Sequence, residues 1–133
     1  MTFGTHGGED HYVITQADEV ERLLRRDVND QDLDQFRTEL AIAAPYEKSQ
    51  VTRVRIHLAM LYLADGDLAE LRSVRKVADS DWRDLLVMAE YPSTPPYGTS
   101  ETPQQKRSRQ KRDIEAIAAW RNRSGPPRPE AGP

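Results

Sequence analysis

Residues 51–71 read Val51-Thr52-Arg53-Val54-Arg55-Ile56-His57-Leu58-Ala59-Met60-Leu61-Tyr62-Leu63-Ala64-Asp65-Gly66-Asp67-Leu68-Ala69-Glu70-Leu71, and this stretch decides the fold. Val51, Val54, Leu58, Leu61 and Tyr62 recur at helical spacing and form one apolar stripe, while Ile56, Met60 and Leu63 form a second on another side. A helix that is apolar on two sides is predicted to be central, with neighbours against both. Gly66 suits the left-handed position that follows a helix, and Asp67 with Glu70 reads as a capping box that starts the next helix at once. The turn Ala64-Asp65-Gly66-Asp67 therefore joins two helices.

Working upstream, Thr15 is a good N-cap with Asp18 three residues on, and Val20, Leu23 and Leu24 share a face, which predicts a helix over about 15–27. Asn29, Asp30 and Asp32 crowd the next start, Leu33, Phe36 and Leu40 follow at helical spacing, and Pro45 stops that helix by Ala44. Downstream, Leu68, Leu71, Val74 and Val77 make the buried side of a fourth helix. Asp79-Ser80-Asp81 breaks it, and Trp82, Leu85, Leu86 and Ala89 face inward from a fifth that ends near Tyr91-Pro92. β-branched residues are scattered and nothing alternates, so no strand competes. The expected fold is all-α: a compact bundle of about five short helices over 12–91, preceded by a Gly-rich leader over 1–11 that reads as disordered.

Residues 92–103 run Pro-Ser-Thr-Pro-Pro-Tyr-Gly-Thr-Ser-Glu-Thr-Pro and read as a Pro-rich linker. Thr102, with Pro103 at the first helical position, opens a basic amphipathic helix over 104–124, and the Pro-rich end, 125–133, reads as disordered. Ile114, Ile117 and Trp120 are the expected docking face of that last helix. Its basic start is expected near Asp27, Asp30, Asp32 and Asp34.

The 133 residues suffice for one small domain, and the chain contains no cysteine, which excludes disulfides, thiolate metal sites, Fe–S clusters and cysteine nucleophiles. No apolar run approaches the length of a membrane span, and Met1 to His11 lacks the pattern of a signal peptide, so a cytoplasmic protein without membrane contact is expected. Fifteen of the 19 basic residues are Arg and Ala is abundant, a bias of GC-rich genomes that gives Arg frequency little functional weight. Charge is divided unevenly: 11 basic against 18 acidic residues up to position 91, then 8 against 4. Five short helices bury only a small core, so a docked tail or a partner chain, a second copy among the candidates, is expected to add to it.

The run Arg53 to Leu71 just quoted, followed by Asp81-Trp82-Arg83-Asp84-Leu85-Leu86 and Ala89-Glu90-Tyr91-Pro92, resembles a recurring segment of small bacterial, often actinobacterial, helical proteins that carry no assigned activity. The resemblance covers about 40 of the 133 residues. It implies a discrete helical module from a bacterium and implies no reaction.

The residues themselves point away from catalysis. His6 and His11 lie five apart in the Gly-rich leader, where no rigid element fixes them as metal ligands. His57 sits between Ile56 and Leu58 on the central helix, without the partners of a catalytic triad or a Glu-x-x-His pair. Asp67, Glu70, Asp79, Asp81 and Asp84 fall at helix starts, where caps and the macrodipole account for them better than paired acid–base work. Asp65-Gly66-Asp67 lacks the later ligands of a calcium loop. No glycine pattern of a phosphate-binding loop occurs. A helix-turn-helix built from the fourth and fifth helices would present Asp81 and Asp84 to phosphates against a single Arg83. No catalytic, metal or cofactor-binding residue is therefore assigned.

The expected function is a non-catalytic, cytosolic interaction or regulatory module that binds an unidentified protein. Trp82, Arg83 and Tyr91, residue types enriched at interface hot spots, are the candidate surface at the two ends of the fifth helix. The alternative is a nucleic-acid-associated protein that binds through Lys106, Arg107, Arg109, Lys111 and Arg112, with Trp120 available for stacking. On a helix these five cations spread around most of the wheel.

Overall fold

The computed structural model describes residues 18–124. Helix α1 covers 18–27 of these, and a 3-10 turn, Asp30–Asp32, leads into α2 (Leu33–Ile42). Then come α3 (Gln50–Ala64), α4 (Leu68–Ser80), α5 (Trp82–Glu90) and α6 (Pro103–Asn122). Among the described residues there is no strand, and the all-α bundle is as the periodicity predicts. The leader, the region around Thr15 and the Pro-rich end lie outside the described residues.

Helix α3 is central, for the reason its two stripes give. Val54, Ile56, Leu58, Ala59, Met60 and Leu61 are all buried, and α4 and α5 pack against it more extensively than α2 or α6 do. Around it close Leu23 and Leu24 of α1, Phe36 of α2, Leu71 and Val74 of α4, and Leu85 of α5, each at most 2% exposed. Val51, expected in the first stripe, is 36% exposed at the helix start.

The breaks follow from local chemistry. After Ile42 the chain turns extended at Ala43, and Ala44 takes a left-handed φ of 47° just before Pro45. Three bonds hold Ala44 there: its N–H donates to Asp79 Oδ1 at 2.8 Å, and its carbonyl accepts from Arg53 Nη1 at 2.9 Å and from the Glu47 N–H at 3.0 Å. Tyr46 Oη donates to the Ala78 carbonyl at 2.9 Å and accepts from the Trp82 N–H at 3.1 Å, which ties the same turn to the α4–α5 junction. Asp65 (φ 50°) and Gly66 (φ 82°) are both left-handed, and Asp67 then accepts from the Glu70 N–H at 3.0 Å. Asp81, with extended backbone, ends α4 and caps α5 through the Arg83 N–H.

Helix α6 begins as read. Thr102 and Gln105 form a reciprocal capping box, with Pro103 in the first turn. Its burial differs from expectation. Arg109, Asp113 and Trp120 are buried and Ile117 packs on the core, whereas Ile114 is 54% exposed. Spacings of four, four and three place Arg109, Asp113, Ile117 and Trp120 on one face, so the docking stripe is half polar.

The direction of docking is also the reverse of the expected one. The C-terminal end of α6, not its basic start, lies against Asp27, where Arg123 Nη2 is 3.7 Å from Asp27 Oδ2. The basic start lies instead beside residues 92–102. That segment is not a loose linker: Ser93 donates to Asp113 Oδ2 through its N–H (3.2 Å) and its hydroxyl (2.7 Å), and Glu101 accepts twice from the Arg109 guanidinium. It is a strap laid along α6.

Candidate functional site

What fixes α6 is the end of α1. A helix leaves its last carbonyls without intrahelical donors. Arg26 Nη1 donates to the carbonyls of Trp120 (2.8 Å), Arg121 (3.3 Å) and Arg123 (2.8 Å), while its other nitrogens pair with Asp27 at 2.7 and 2.9 Å. The side chains of Arg26 and Asp27 are only 6% and 5% exposed, so the cation serves both the helix end and the carboxylate in a water-poor setting. The same guanidinium lies 5.5 Å from the Trp120 ring centroid, and Tyr62 of α3 meets that indole edge-on at 5.1 Å. The C-terminal half of α6 is thereby clamped across α1 and α3.

Clamped there, α6 closes one side of a groove of about 270 Å³. Val54, Leu58 and Ala59 of α3 make its floor, and Ile114 and Ile117 of α6 make one wall. Glu90 and Tyr91, at the end of α5, make the other. The exposed side chains of Val51 and Ile114 stand at its mouth. Arg55 forms a two-pronged ion pair with Glu90 on the α5 side, and Arg121 on the α6 side sits 3.4 Å from Glu19 of α1. The groove is thus apolar at its base and rimmed by paired charges, the layout of a surface that takes an apolar side chain and excludes water around it.

The expected surface residues fall in two places. Tyr91 lines the groove. Trp82 and Arg83 lie at the opposite end of α5, and nine residues of helix turn Trp82 and Tyr91 to opposite faces. Trp82 is half-buried against the core, with the Arg83 guanidinium 5.9 Å from its ring centroid and bonded to its own cap, Asp81. The cations of α6 divide as well. Arg109 is buried against Glu101 and reaches Thr94 Oγ1 at 3.5 Å, whereas Lys106, Arg107, Lys111 and Arg112 are exposed.

The described titratable groups sit in separate local pairings. His57 is largely buried between α3 and the end of α2, and its Nε2 has no hydrogen-bond partner. Burial, with the Arg53 charge adding to it and a backbone bond at Leu40 opposing it, pushes the imidazole down from 6.5 to about 4. It is neutral at pH 7. Asp67 and Asp81 are occupied as caps, and Asp79 is shared between the Ala44 N–H and Arg75 Nη1. The Arg22 hydrogen bond first, with Arg121 adding, holds the Glu19 carboxyl below its ordinary range, and Arg109 does the same for Glu101. Among the described residues no three His, Asp or Glu side chains gather as metal ligands, and no helix is long and apolar enough to cross a membrane. His6 and His11 lie outside the described residues.

Sequence reasoning missed Val51 and Ile114, which it placed on inward faces. The signal that could have found Ile114 is the pair Arg109 and Asp113, which share a helix face with Ile117 and Trp120 and turn Ile114 away from it. Comparison of the chain with protein-family models, curated proteins and solved structures gives no match.

Proposed function

We propose that this protein is a non-catalytic interaction module whose working surface is the groove between α3, the end of α5 and α6. The observation that carries the reading is the pairing of an apolar floor with Val51 and Ile114 exposed at the mouth, where the other exposed large apolar side chains, Ile42, Tyr46, Val87, Met88 and Tyr97, do not line the groove. A partner that inserts one or two apolar side chains there gains their burial, and the paired charges at the rim set its orientation. Tyr91 lies inside this surface. Trp82 and Arg83 lie outside it.

A second reading, binding of nucleic acid along α6, is supported by the outward-facing Lys106, Arg107, Lys111 and Arg112. One experiment separates the two. Capture from native cells is compared for the wild-type chain, Ile114→Lys, Arg83→Ala, and a chain with those four cations changed to Gln, each checked for unchanged helicity by circular dichroism. The groove reading expects Ile114→Lys alone to lose the captured protein. The other expects the fourfold variant to lose a salt-sensitive shift of a mixed DNA or RNA probe, with Ile114→Lys behaving as wild type.

A further inference from the structure

The groove is sized for a side chain. Its volume of about 270 Å³ falls under the roughly 300–1,000 Å³ of pockets that enclose a drug-sized ligand. Among the described residues, Ile42, Tyr46, Val87 and Met88 are each about half covered by their own chain, and the Tyr46 hydroxyl is already bonded at the α4–α5 junction. Tyr97 is fully exposed and stands clear of the rest of the chain. A tight turn presents it: the Thr99 N–H donates to the Pro96 carbonyl at 3.1 Å, and Gly98 takes the left-handed φ of 91° that the third position of such a turn requires. The strap is tied on both sides of this turn, to Asp113 through Ser93 and to Arg109 through Glu101. The ring is therefore held outward before any contact forms, and little conformational entropy is lost when it docks.

While the strap is laid, its own groove is out of reach. The strap runs from Tyr91 past Asp113 to Arg109, toward the start of α6, whereas the groove lies along Ile114, Ile117 and Arg121, toward the end of that helix. The ring at position 97 therefore meets such a groove on another molecule. Their chemistry matches: tyrosine has an apolar body and a hydroxyl tip, and the groove has an apolar floor under a rim that carries Glu90 and Arg55. Charge agrees as well. Up to position 91 the chain has 11 basic against 18 acidic residues, and after it 8 against 4, so tail on body attracts whereas body on body repels. Locally, Lys106 and Arg107 are exposed on the first turns of α6 beside the strap, and Asp84 is exposed on α5 two turns before Tyr91.

Resting on the reading of the groove as a docking surface, we propose that its partner is a second copy of this chain, which inserts Tyr97 between α3, the end of α5 and α6. The strap is then a presenting arm, and the clamp of Arg26 on the end of α6 keeps the receiving groove in shape.

Sedimentation velocity on the full chain, from micromolar to millimolar concentration, tests this. The wild type is expected to gain mass with concentration. Tyr97→Ser and Ile114→Lys, both changes of exposed side chains, are each expected to stay monomeric with unchanged circular dichroism. Their equimolar mixture is expected to regain association, because one chain supplies the ring and the other the groove. A wild type that stays monomeric throughout overturns the proposal, and so does association that survives Tyr97→Ser or a mixture that stays monomeric. An apolar fluorescent probe added to the Tyr97→Ser chain, against the same chain carrying Ile114→Lys, keeps the underlying reading separate. Probe binding lost with Ile114→Lys upholds the groove even where the second copy fails, and its absence from both chains removes the groove and its occupant together.

Discussion

At His57 the imidazole has lost most of its water, and this fixes its charge and its consequence for stability. The folded protein holds the ring neutral down to about pH 4, whereas the unfolded chain protonates it near 6.5. The unfolded state therefore binds the extra proton between those values, so the contribution of His57 is complete above pH 6.5 and is lost as pH falls toward 4. Denaturant titrations at a series of pH values are expected to show a decline of about 2 to 3 kcal/mol across that window, and His57→Leu is expected to flatten it. Glu19 and Glu21, held below their ordinary 4.5 by Arg22 and Arg37, lose their share only at lower pH. The place of His57 on the central helix between Ile56 and Leu58 was legible. Its bond to the Leu40 backbone, and the burial that leaves Nε2 without a partner, were not, because they depend on where α2 ends.

Helix α6 shows where periodicity stops being informative at the level of an element. Its start was legible in Thr102 and Pro103, and the structure adds Gln105, which completes the capping box within four positions. Its buried face was not. Counting apolar residues selects Ile114, Ile117 and Trp120, but Arg109 and Asp113 are buried too because the strap supplies them with Glu101, Thr94 and Ser93. A polar side chain with such partners can be buried at little net cost. The polarity of docking was hidden for a similar reason: charge counting sends the basic start of α6 to the acids of α1 and α2, whereas bare carbonyls at its other end attract Arg26. Arg26→Ala takes from buried Asp27 its nearest cation, leaving Arg123 at 3.7 Å, and takes one donor from each of three carbonyls. Of these, that of Arg121 keeps Arg22 and that of Trp120 keeps the Arg123 N–H, so the expected loss is about 2 to 3 kcal/mol. In a Trp82→Phe background, Trp120 emission is expected to shift to the red when the end of α6 lifts away, and an unshifted spectrum with unchanged stability would show that the clamp contributes nothing. Lysine at position 26 cannot span the carbonyls and the carboxylate together and is expected to rescue little.

On the scale of the whole molecule, the bundle over α1–α5 was legible because its helices bury amphipathic faces against a doubly apolar α3. The groove was not, since it is a product of docking: α3 supplies the floor from its first stripe, and α6, far along the chain, supplies the wall. The division between an acidic body and a basic tail also takes a different meaning once folded. Arg109, Arg121 and Arg123 pair with acids of the strap and of α1, and the charge left exposed is concentrated on the first turns of α6.

The claim that the groove is the working surface is tested most directly by a photo-crosslinking amino acid placed at one position at a time, in native cells. At position 114 the account predicts a covalent adduct with a second protein, and no adduct at position 83. An adduct at position 83 or 107 with none at 114 would contradict it.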